Sequence, residues 1–156
     1  MKWRHGWLQF SWTAFAVVGL ALVAGCGRDS GNLGRVTGKV TLDGQPLPNA
    51  TVVFSPKTAG TQSLALTNAN GEYSLLYSSH NRGAEPGEHR VTISTFTGGD
   101  PDGAPPVAKV AERVPYKYNL QSQLQATVNR GKNTIDFGLA TDGPVVQPDG
   151  IRSSWR

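Results

Sequence analysis

The sequence predicts an all-β protein, with a seven-stranded antiparallel sandwich over residues 35–140. Three observations lead to this prediction. Apolar and polar residues alternate in short segments, which is the pattern of half-buried strands. Turn-forming residues separate the segments, and the 19 glycines and 10 prolines of the chain supply many of them. No window between residues 35 and 140 shows the apolar repeat of an amphipathic helix, so we expect strands throughout.

The first predicted strand shows the alternation most clearly. Val36, Val40 and Leu42 share one parity and should face the core, whereas Lys39 lies on the other parity and should face solvent. A tight turn is predicted at residues 43–44. The apolar residues that mark the six later strands are, in order, Ala50, Val52 and Phe54; Leu64 and Leu66; Tyr73 and Leu75; Val91 and Ile93; Leu124, Ala126 and Val128; and Ile135, Phe137 and Leu139.

Two connections stand out between these strands. Residues 129–133 read NRGKN and predict a hairpin that joins the last two strands. Residues 98–114 form the longest segment without alternation and predict an irregular loop, which can serve function. After residue 140, two prolines and two glycines predict a disordered tail over residues 141–156.

The first 25 residues predict a signal peptide. Lys2 and Arg4 form a short positive start, and residues 14–24 are continuously apolar. As a helix that apolar run would be about 16 Å long, roughly half the ~30 Å thickness of a hydrocarbon core. It is therefore better suited to a cleaved leader than to a permanent span.

Residues 22–26 read LVAGC and resemble the bacterial lipobox, in which small residues precede a cysteine. The resemblance implies cleavage between Gly25 and Cys26, and a diacylglyceryl group with fatty acyl chains such as palmitate on the Cys26 sulfur. Two or more acyl chains anchor a protein stably without a spanning helix. We therefore expect an exported lipoprotein, held on the periplasmic face of a bacterial membrane or at the cell surface. Residues 26–34 would be a flexible tether.

Composition excludes several classes of function. Without Lys2 and Arg4 the chain keeps 13 basic residues against 11 acidic ones, an excess too weak to indicate a nucleic-acid binder. A single cysteine excludes an internal disulfide framework and a cysteine-based zinc site.

Several ordered motifs carry a family resemblance. Residues 36–54 read VTGKVTLDGQPLPNATVVF and match the pattern V-x-G-x-V followed by G-x-P-L-x-x-A-x-V. This stretch resembles the opening of carboxypeptidase regulatory-like domains. Residues 67–75, 86–93, 114–118 and 133–137 agree in order, the last two with small lipoproteins of planctomycete-type bacteria that carry this domain. The resemblance covers residues 35–140 and implies a Greek-key sandwich of the transthyretin (prealbumin) type, related to carbohydrate-binding folds.

We predict no catalytic site and no metal site. The mature chain has two histidines, His80 and His89, without a His-x-x-Glu pair, and it is too short to contain the zinc domain of a carboxypeptidase. No Gly-x-Ser-x-Gly segment supplies a nucleophile. Glu85 and Glu88 lie close to His89 and leave a weak metal cluster, or an unrecognised hydrolase, as alternatives. The expected protein is non-enzymatic and needs no cofactor beyond its lipid.

The function predicted from these features is that of a structural or protein-interaction module at the cell envelope. Its partner would be an envelope protein or a polysaccharide, contacted through edge strands and the 98–114 loop. The alternative is a carbohydrate-binding module that stacks sugars on aromatic rings. Tyr77, Phe96, Tyr116 and Tyr118 are the candidate contacts, and Tyr116 and Tyr118 share strand parity. Neither nucleic acid nor a small-molecule cofactor is expected.

Overall fold

The computed structural model describes residues 32–148, which fold as an all-β body, as predicted. The signal peptide predicted for residues 1–25, the lipidation site Cys26 and residues 149–156 lie outside the described residues. Nine strands and one 3-10 helix, Tyr116–Tyr118, form the body. The strands are β1 Gly34–Leu42, β2 Gln45–Pro46, β3 Thr51–Pro56, β4 Ser63–Leu66, β5 Glu72–Ser74, β6 Gly87–Ser94, β7 Gln125–Val128, β8 Gly131–Thr134 and β9 Phe137–Leu139.

The strands form two mostly antiparallel sheets. In the first sheet β1 is central and pairs antiparallel with β2 and β5. It also pairs in parallel with β8 and β9, so the prediction of a purely antiparallel fold is wrong for the last two strands. The second sheet has the order β4-β3-β6-β7 and is antiparallel throughout.

The predicted hairpin at residues 129–133 is also wrong. Strand β7 pairs with β6 in the second sheet, through Val128 opposite Gly87, whereas β8 pairs with β1 in the first sheet. The segment between them therefore crosses from one sheet to the other. The composition of a turn does not distinguish a hairpin from a crossover, because both need the same backbone freedom.

Nine strands are present among the described residues instead of the predicted seven. One addition is β2, which follows the Asp43-Gly44 turn and pairs Gln45 with Leu42. The other is β8, which lies largely in the segment predicted as a hairpin turn, so that the predicted seventh strand corresponds to β9.

The core lies between the sheets and contains the inward-facing residues predicted for β1, β3 and β6. Phe54 occupies its centre, with its ring centroid 6.1 Å from that of Phe137 and 6.4 Å from that of Tyr73 on the opposite sheet. The apolar residues that are fully buried include Val36, Val40, Ala50, Val52, Phe54, Leu75, Val91 and Ile93. Alternation therefore predicted these faces correctly.

Strand β4 has the opposite orientation to the one its leucines suggest. Leu64 and Leu66 are 52% and 62% exposed, whereas Ser63 and Ala65 are buried. The register explains the difference, because Ser63 lies opposite Phe54 and must share its inward parity. Pairing with the longer strand β3 thus overrides the hydrophobicity of a four-residue strand.

The interruption between β8 and β9 brings a backbone carbonyl against a glycine. The main chain at Ile135 lies so close to Gly38 of β1 that a Cβ atom at residue 38 would overlap the Ile135 carbonyl oxygen. The hydroxyl of Tyr73 donates a hydrogen bond to that carbonyl at 2.7 Å. The Lys39 amide donates at 2.7 Å to the Asp136 side chain, which replaces a backbone acceptor. The Ile135 carbonyl and the Lys39 amide therefore both have hydrogen-bond partners at the interruption between β8 and β9.

Part of the predicted disordered tail is attached to the body. The Thr141 amide and hydroxyl donate to the Asp43 carboxylate at 3.0 and 2.7 Å, and this lowers the pKa of Asp43. The Lys117 ammonium lies 2.6 Å from the Asp142 carboxylate. Residues 141–148 are therefore held against the body by side-chain contacts, which composition alone did not indicate.

Candidate functional site

The four aromatic candidates do not form a common platform. Tyr77 follows β5, near the start of β1, and its hydroxyl donates to the Glu85 carboxylate at 2.8 Å. Phe96 follows β6 at the opposite end of the body. Because these rings lie at opposite ends, they cannot stack against one short sugar chain together.

Tyr116 and Tyr118 do not share a face either. They bound a 3-10 helix and not a strand, so residues two apart point in different directions. Tyr118 packs against the core, and its hydroxyl accepts a hydrogen bond from the Ala140 amide at 3.3 Å. The strand parity used for this prediction was therefore wrong, and Tyr118 has a structural role.

The predicted irregular loop contains an ordered ribbon, which we call the arm, residues 97–110. Thr97 and Val110 exchange two backbone hydrogen bonds of 3.0 Å, and Asp100 and Val107 exchange two of 2.8 Å. The side chains of Val107 and Val110 remain 46% and 44% exposed. The arm thus presents apolar side chains on an ordered backbone.

A buried carboxylate fixes the base of the arm. Glu112 is 4% exposed, and one of its oxygens accepts hydrogen bonds of 2.8 Å from both the amide and the hydroxyl of Thr95. The same oxygen accepts from the Arg113 and Val114 amides at 3.0 Å, and the other oxygen accepts from the Ser94 hydroxyl. This carboxylate joins the end of β6 to the segment that follows the arm.

The hydrogen bonds to Glu112 also govern its ionisation. Burial alone would raise the pKa of Glu112, but the hydrogen bonds from Ser94, Thr95 and Val114 outweigh it, so the pKa lies below its ordinary value. The carboxylate is therefore charged at neutral pH and acts as a fixed acceptor. Sequence analysis missed it because its partners at residues 94–95 are 17 or 18 positions away, beyond any local pattern.

The backbone of Glu112 is held from a second side. Its amide donates to the Gln147 side chain at 2.8 Å, and the Gln147 side chain donates back to the Glu112 carbonyl at 3.0 Å. The base of the arm is thus bonded both to the end of β6 and to the segment after β9.

The arm and the start of β1 lie at opposite ends of the body. A Cβ atom placed on Gly34 would meet the side chain of Val128, which pairs with Gly87 at the start of β6. From Gly87 the strand runs to Ser94, and eight residues in a strand span about 26 Å. The arm begins just beyond Ser94, so it projects from the end remote from residue 34.

A groove of about 620 Å³ is lined mainly by residues of the first sheet, from β1, β5 and β8. Within it the Asn68 amide donates to the Glu72 carboxylate at 3.0 Å. Its lining includes hydroxyl, amide and charged groups, and the exposed Leu66 contributes an apolar wall. The lining residues are Thr37, Gly38, Lys39, Leu66, Asn68, Glu72, Tyr73, Ser74, Thr134 and Asp136. Such groups can form hydrogen bonds with a polar ligand.

The residues of the alternative metal cluster have other partners. His89 is 1% exposed and packs its ring 5.8 Å from that of Phe54. Glu85 accepts from Tyr77, and Glu88 lies 3.0 Å from the Lys57 ammonium. Among residues 32–148, no group of three or more histidine, cysteine, aspartate or glutamate side chains is placed to hold a metal ion.

Within the described part of the chain, no helix is both long and apolar enough to cross a membrane. Compared with known proteins, the sequence and fold match no family model, no curated protein and no solved structure.

Proposed function

We propose that this chain is an exported, non-enzymatic lipoprotein, anchored through Cys26, that binds a protein partner at the cell envelope. The lipobox-like sequence at residues 22–26 supports the anchor, and the apolar stretch before it supports export. The binding role is supported by the arm. Partners would include another envelope protein, with no nucleic acid and no small-molecule cofactor involved.

The observation that carries the binding role is that the arm exposes Val107 and Val110 on a hydrogen-bonded backbone whose base is fixed by Glu112. Burying a carboxylate costs free energy unless hydrogen bonds offset the loss of water. The hydrogen bonds that Glu112 accepts supply this compensation and hold the base of the arm in one geometry. An ordered binding segment loses little conformational entropy on association. Because the arm leaves the body at the end remote from residue 34, a chain tethered through Cys26 would present it away from the membrane.

We propose in addition a more specific fold type for the body. A carboxypeptidase regulatory-like domain, with a Greek-key sandwich of the transthyretin type, is supported by the structural roles of the motif residues. Gly38 accommodates the Ile135 carbonyl, and Gly44 has a φ of 79° in the turn between β1 and β2. Val52 and Phe54 fill the core from β3.

The partner is tested by site-specific photo-crosslinking in intact cells, with a benzoylphenylalanine in place of Ala108 in the arm. We expect protein adducts that fall at least about fivefold in the Val107→Asp/Val110→Asp variant, since losing a hot-spot contact costs more than about 1 kcal/mol and each carboxylate must also be desolvated on binding. The Leu64→Asp/Leu66→Asp variant changes two exposed apolar side chains elsewhere and should keep the adducts.

The proposal would be contradicted if the Val107→Asp/Val110→Asp variant gave as many adducts as the natural protein. It would also be contradicted if the Leu64→Asp/Leu66→Asp variant lost the adducts to the same extent. Urea unfolding of each variant checks that the body remains folded. The Glu112 cluster should be undisturbed, because Val107 and Val110 are exposed.

A carbohydrate-binding module remains the second candidate, and the hydroxyl, amide and charged groups that line the groove favour it. Hydroxyl and amide groups on a β-sheet face can form hydrogen bonds with sugar hydroxyls. Binding of envelope polysaccharide that is lost in a Thr37→Val/Thr134→Val variant would support this candidate over the arm. Tyr118→Ala is a poor test of it, since Tyr118 packs against the core.

A further inference from the structure

Charge is distributed unevenly along the body. The end where β1 begins, which we call the tether end, contains residues 34–35, 77–86 and 129–132. Gly34 pairs there with Gly131 and with Ala84, so the three segments are neighbours. Four exposed basic side chains lie on these segments: Arg35, Arg82, Arg130 and Lys132.

The acids near the tether end do not cancel this charge. Glu88 is paired with Lys57 at 3.0 Å, so that pair is neutral. Among the described residues of the tether end the other acid is Glu85, and its carboxylate accepts from the Tyr77 hydroxyl. Among the described residues of the tether end, Arg82, Arg130 and Lys132 against the single acid Glu85 leave a positive excess.

The remote end carries the opposite charge. Asp43 and Asp142 lie beside the end of β1, and Asp100 and Asp102 lie on the arm. Lys117 is neutralised by Asp142, which leaves Lys109 and Arg113 as the other cations near the arm. Including the buried Glu112, this end has an acidic excess. The body is therefore polarised, with its positive side where the chain enters β1.

The segment between Cys26 and β1 is short. From Cys26 to Gly34 an extended chain spans at most about 27 Å, at ~3.4 Å per residue. A body tethered through Cys26 by this length stays close to the bilayer surface, so its effective concentration there is high. The tether permits contact between the tether end and the headgroups, and charge would then set the orientation.

We propose that the tether end docks on anionic lipid headgroups of the membrane that holds the acyl chains. This inference rests on the proposed lipid anchor at Cys26. A basic side chain near an anionic leaflet contributes about a fivefold shift in the docking equilibrium. The acidic remote end is repelled by the same surface, so docking directs the arm outward. A lipid chain combined with a basic patch is a recognised two-part mode of membrane attachment.

Hydrogen exchange on the lipidated protein, purified from cells and inserted into vesicles, tests the proposal. The vesicles contain phosphatidylcholine alone, or phosphatidylcholine with about one-third phosphatidylglycerol. In the anionic vesicles we expect amides of residues 77–86 and 129–132 to exchange at least about fivefold more slowly. The protection should disappear in about 0.5 M salt, which screens surface charges. Amides of the arm should exchange equally in both vesicles.

Matched variants separate the tether end from net charge. Arg82→Gln/Arg130→Gln/Lys132→Gln should abolish the protection, whereas Lys39→Gln/Lys109→Gln/Arg113→Gln removes the same charge elsewhere and should keep it. Unchanged exchange of β6 amides shows that each variant is folded. Loss of protection in both variants alike would overturn the proposal.

Flotation distinguishes failure of docking from failure of the anchor. If the protein floats with both vesicle types but its amides exchange at the same rate in both, the docking proposal is overturned and the anchor stands. If the protein floats only with the anionic vesicles and residues 77–86 and 129–132 are protected there, the result supports docking without the anchor. Flotation with neither vesicle type overturns both.

Discussion

We expect Glu112→Ala to lower the free energy of unfolding by about 3–5 kcal/mol. The substitution leaves the amides of Thr95 and Val114 without their acceptor in a buried environment. Each unsatisfied buried donor costs about 1–3 kcal/mol, less whatever water recovers. Urea unfolding followed by circular dichroism measures the change.

The same substitution should loosen the arm. Since Glu112 joins the arm to the end of β6, hydrogen exchange at the amides of residues 97–111 should be faster in the variant than in the natural protein when no urea is present. Glu88→Gln is the matched control, because Glu88 is an exposed acid whose surface pair with Lys57 is worth about 0–1 kcal/mol. Equal destabilisation by the two substitutions would contradict the role assigned to Glu112.

The Glu112 cluster also predicts a pH dependence. The folded pKa of Glu112 is below its ordinary value of 4.5, so its contribution to stability is complete above pH 4.5 and is lost as pH falls through the folded pKa. Stability of the natural protein should therefore decline below pH 4.5. Glu112→Gln should show a shallower decline. Some decline should remain, since the pKa values of Asp43 and Asp142 are lowered too.

Gly38→Ala should destabilise the protein by at least about 3 kcal/mol or prevent folding. The added Cβ would overlap the Ile135 carbonyl oxygen and would lie 2.9 Å from the Tyr73 ring. The obstruction is main chain and cannot rotate away, so β1 would have to separate from residues 135–136. Thermal unfolding or the soluble yield measures the effect.

Gly138→Ala is the matched control for this prediction. Gly138 lies in β9 of the same sheet, and a Cβ there would meet only the Thr41 hydroxyl at 3.9 Å, an ordinary contact. We expect a change within about 0.5 kcal/mol, as for most surface substitutions. A Gly38→Ala protein as stable as Gly138→Ala would show that the close approach of Ile135 is not present in solution.

Local alternation predicted much of the fold because the longer strands have one buried face. Val36 and Val40 in β1, and Val91 and Ile93 in β6, are buried where parity placed them. Alternation failed for Leu64 and Leu66, because their strand takes its parity from β3. It also could not predict that β8 and β9 run parallel to β1, since direction depends on which sheet the chain joins after residue 128.

The candidate site was predictable only in outline. The lack of periodicity over residues 98–114 indicated a distinct segment, and all of the arm except Thr97 lies within it. Its attachment through Glu112 depends on partners distant in the sequence, which no spacing reveals. The aromatic contacts failed for a related reason, because Tyr116 and Tyr118 were given strand parity in a segment that forms a 3-10 helix.

The most direct test of the account is the intact mass and first residue of the protein purified from membranes of its native cells. We predict a chain that begins at Cys26 and carries the added mass of a diacylglyceryl group, and a Cys26→Ser variant that lacks the group. A native protein that retains Met1 and carries no acyl chain would contradict the proposed anchor, and with it the orientation proposed for the arm.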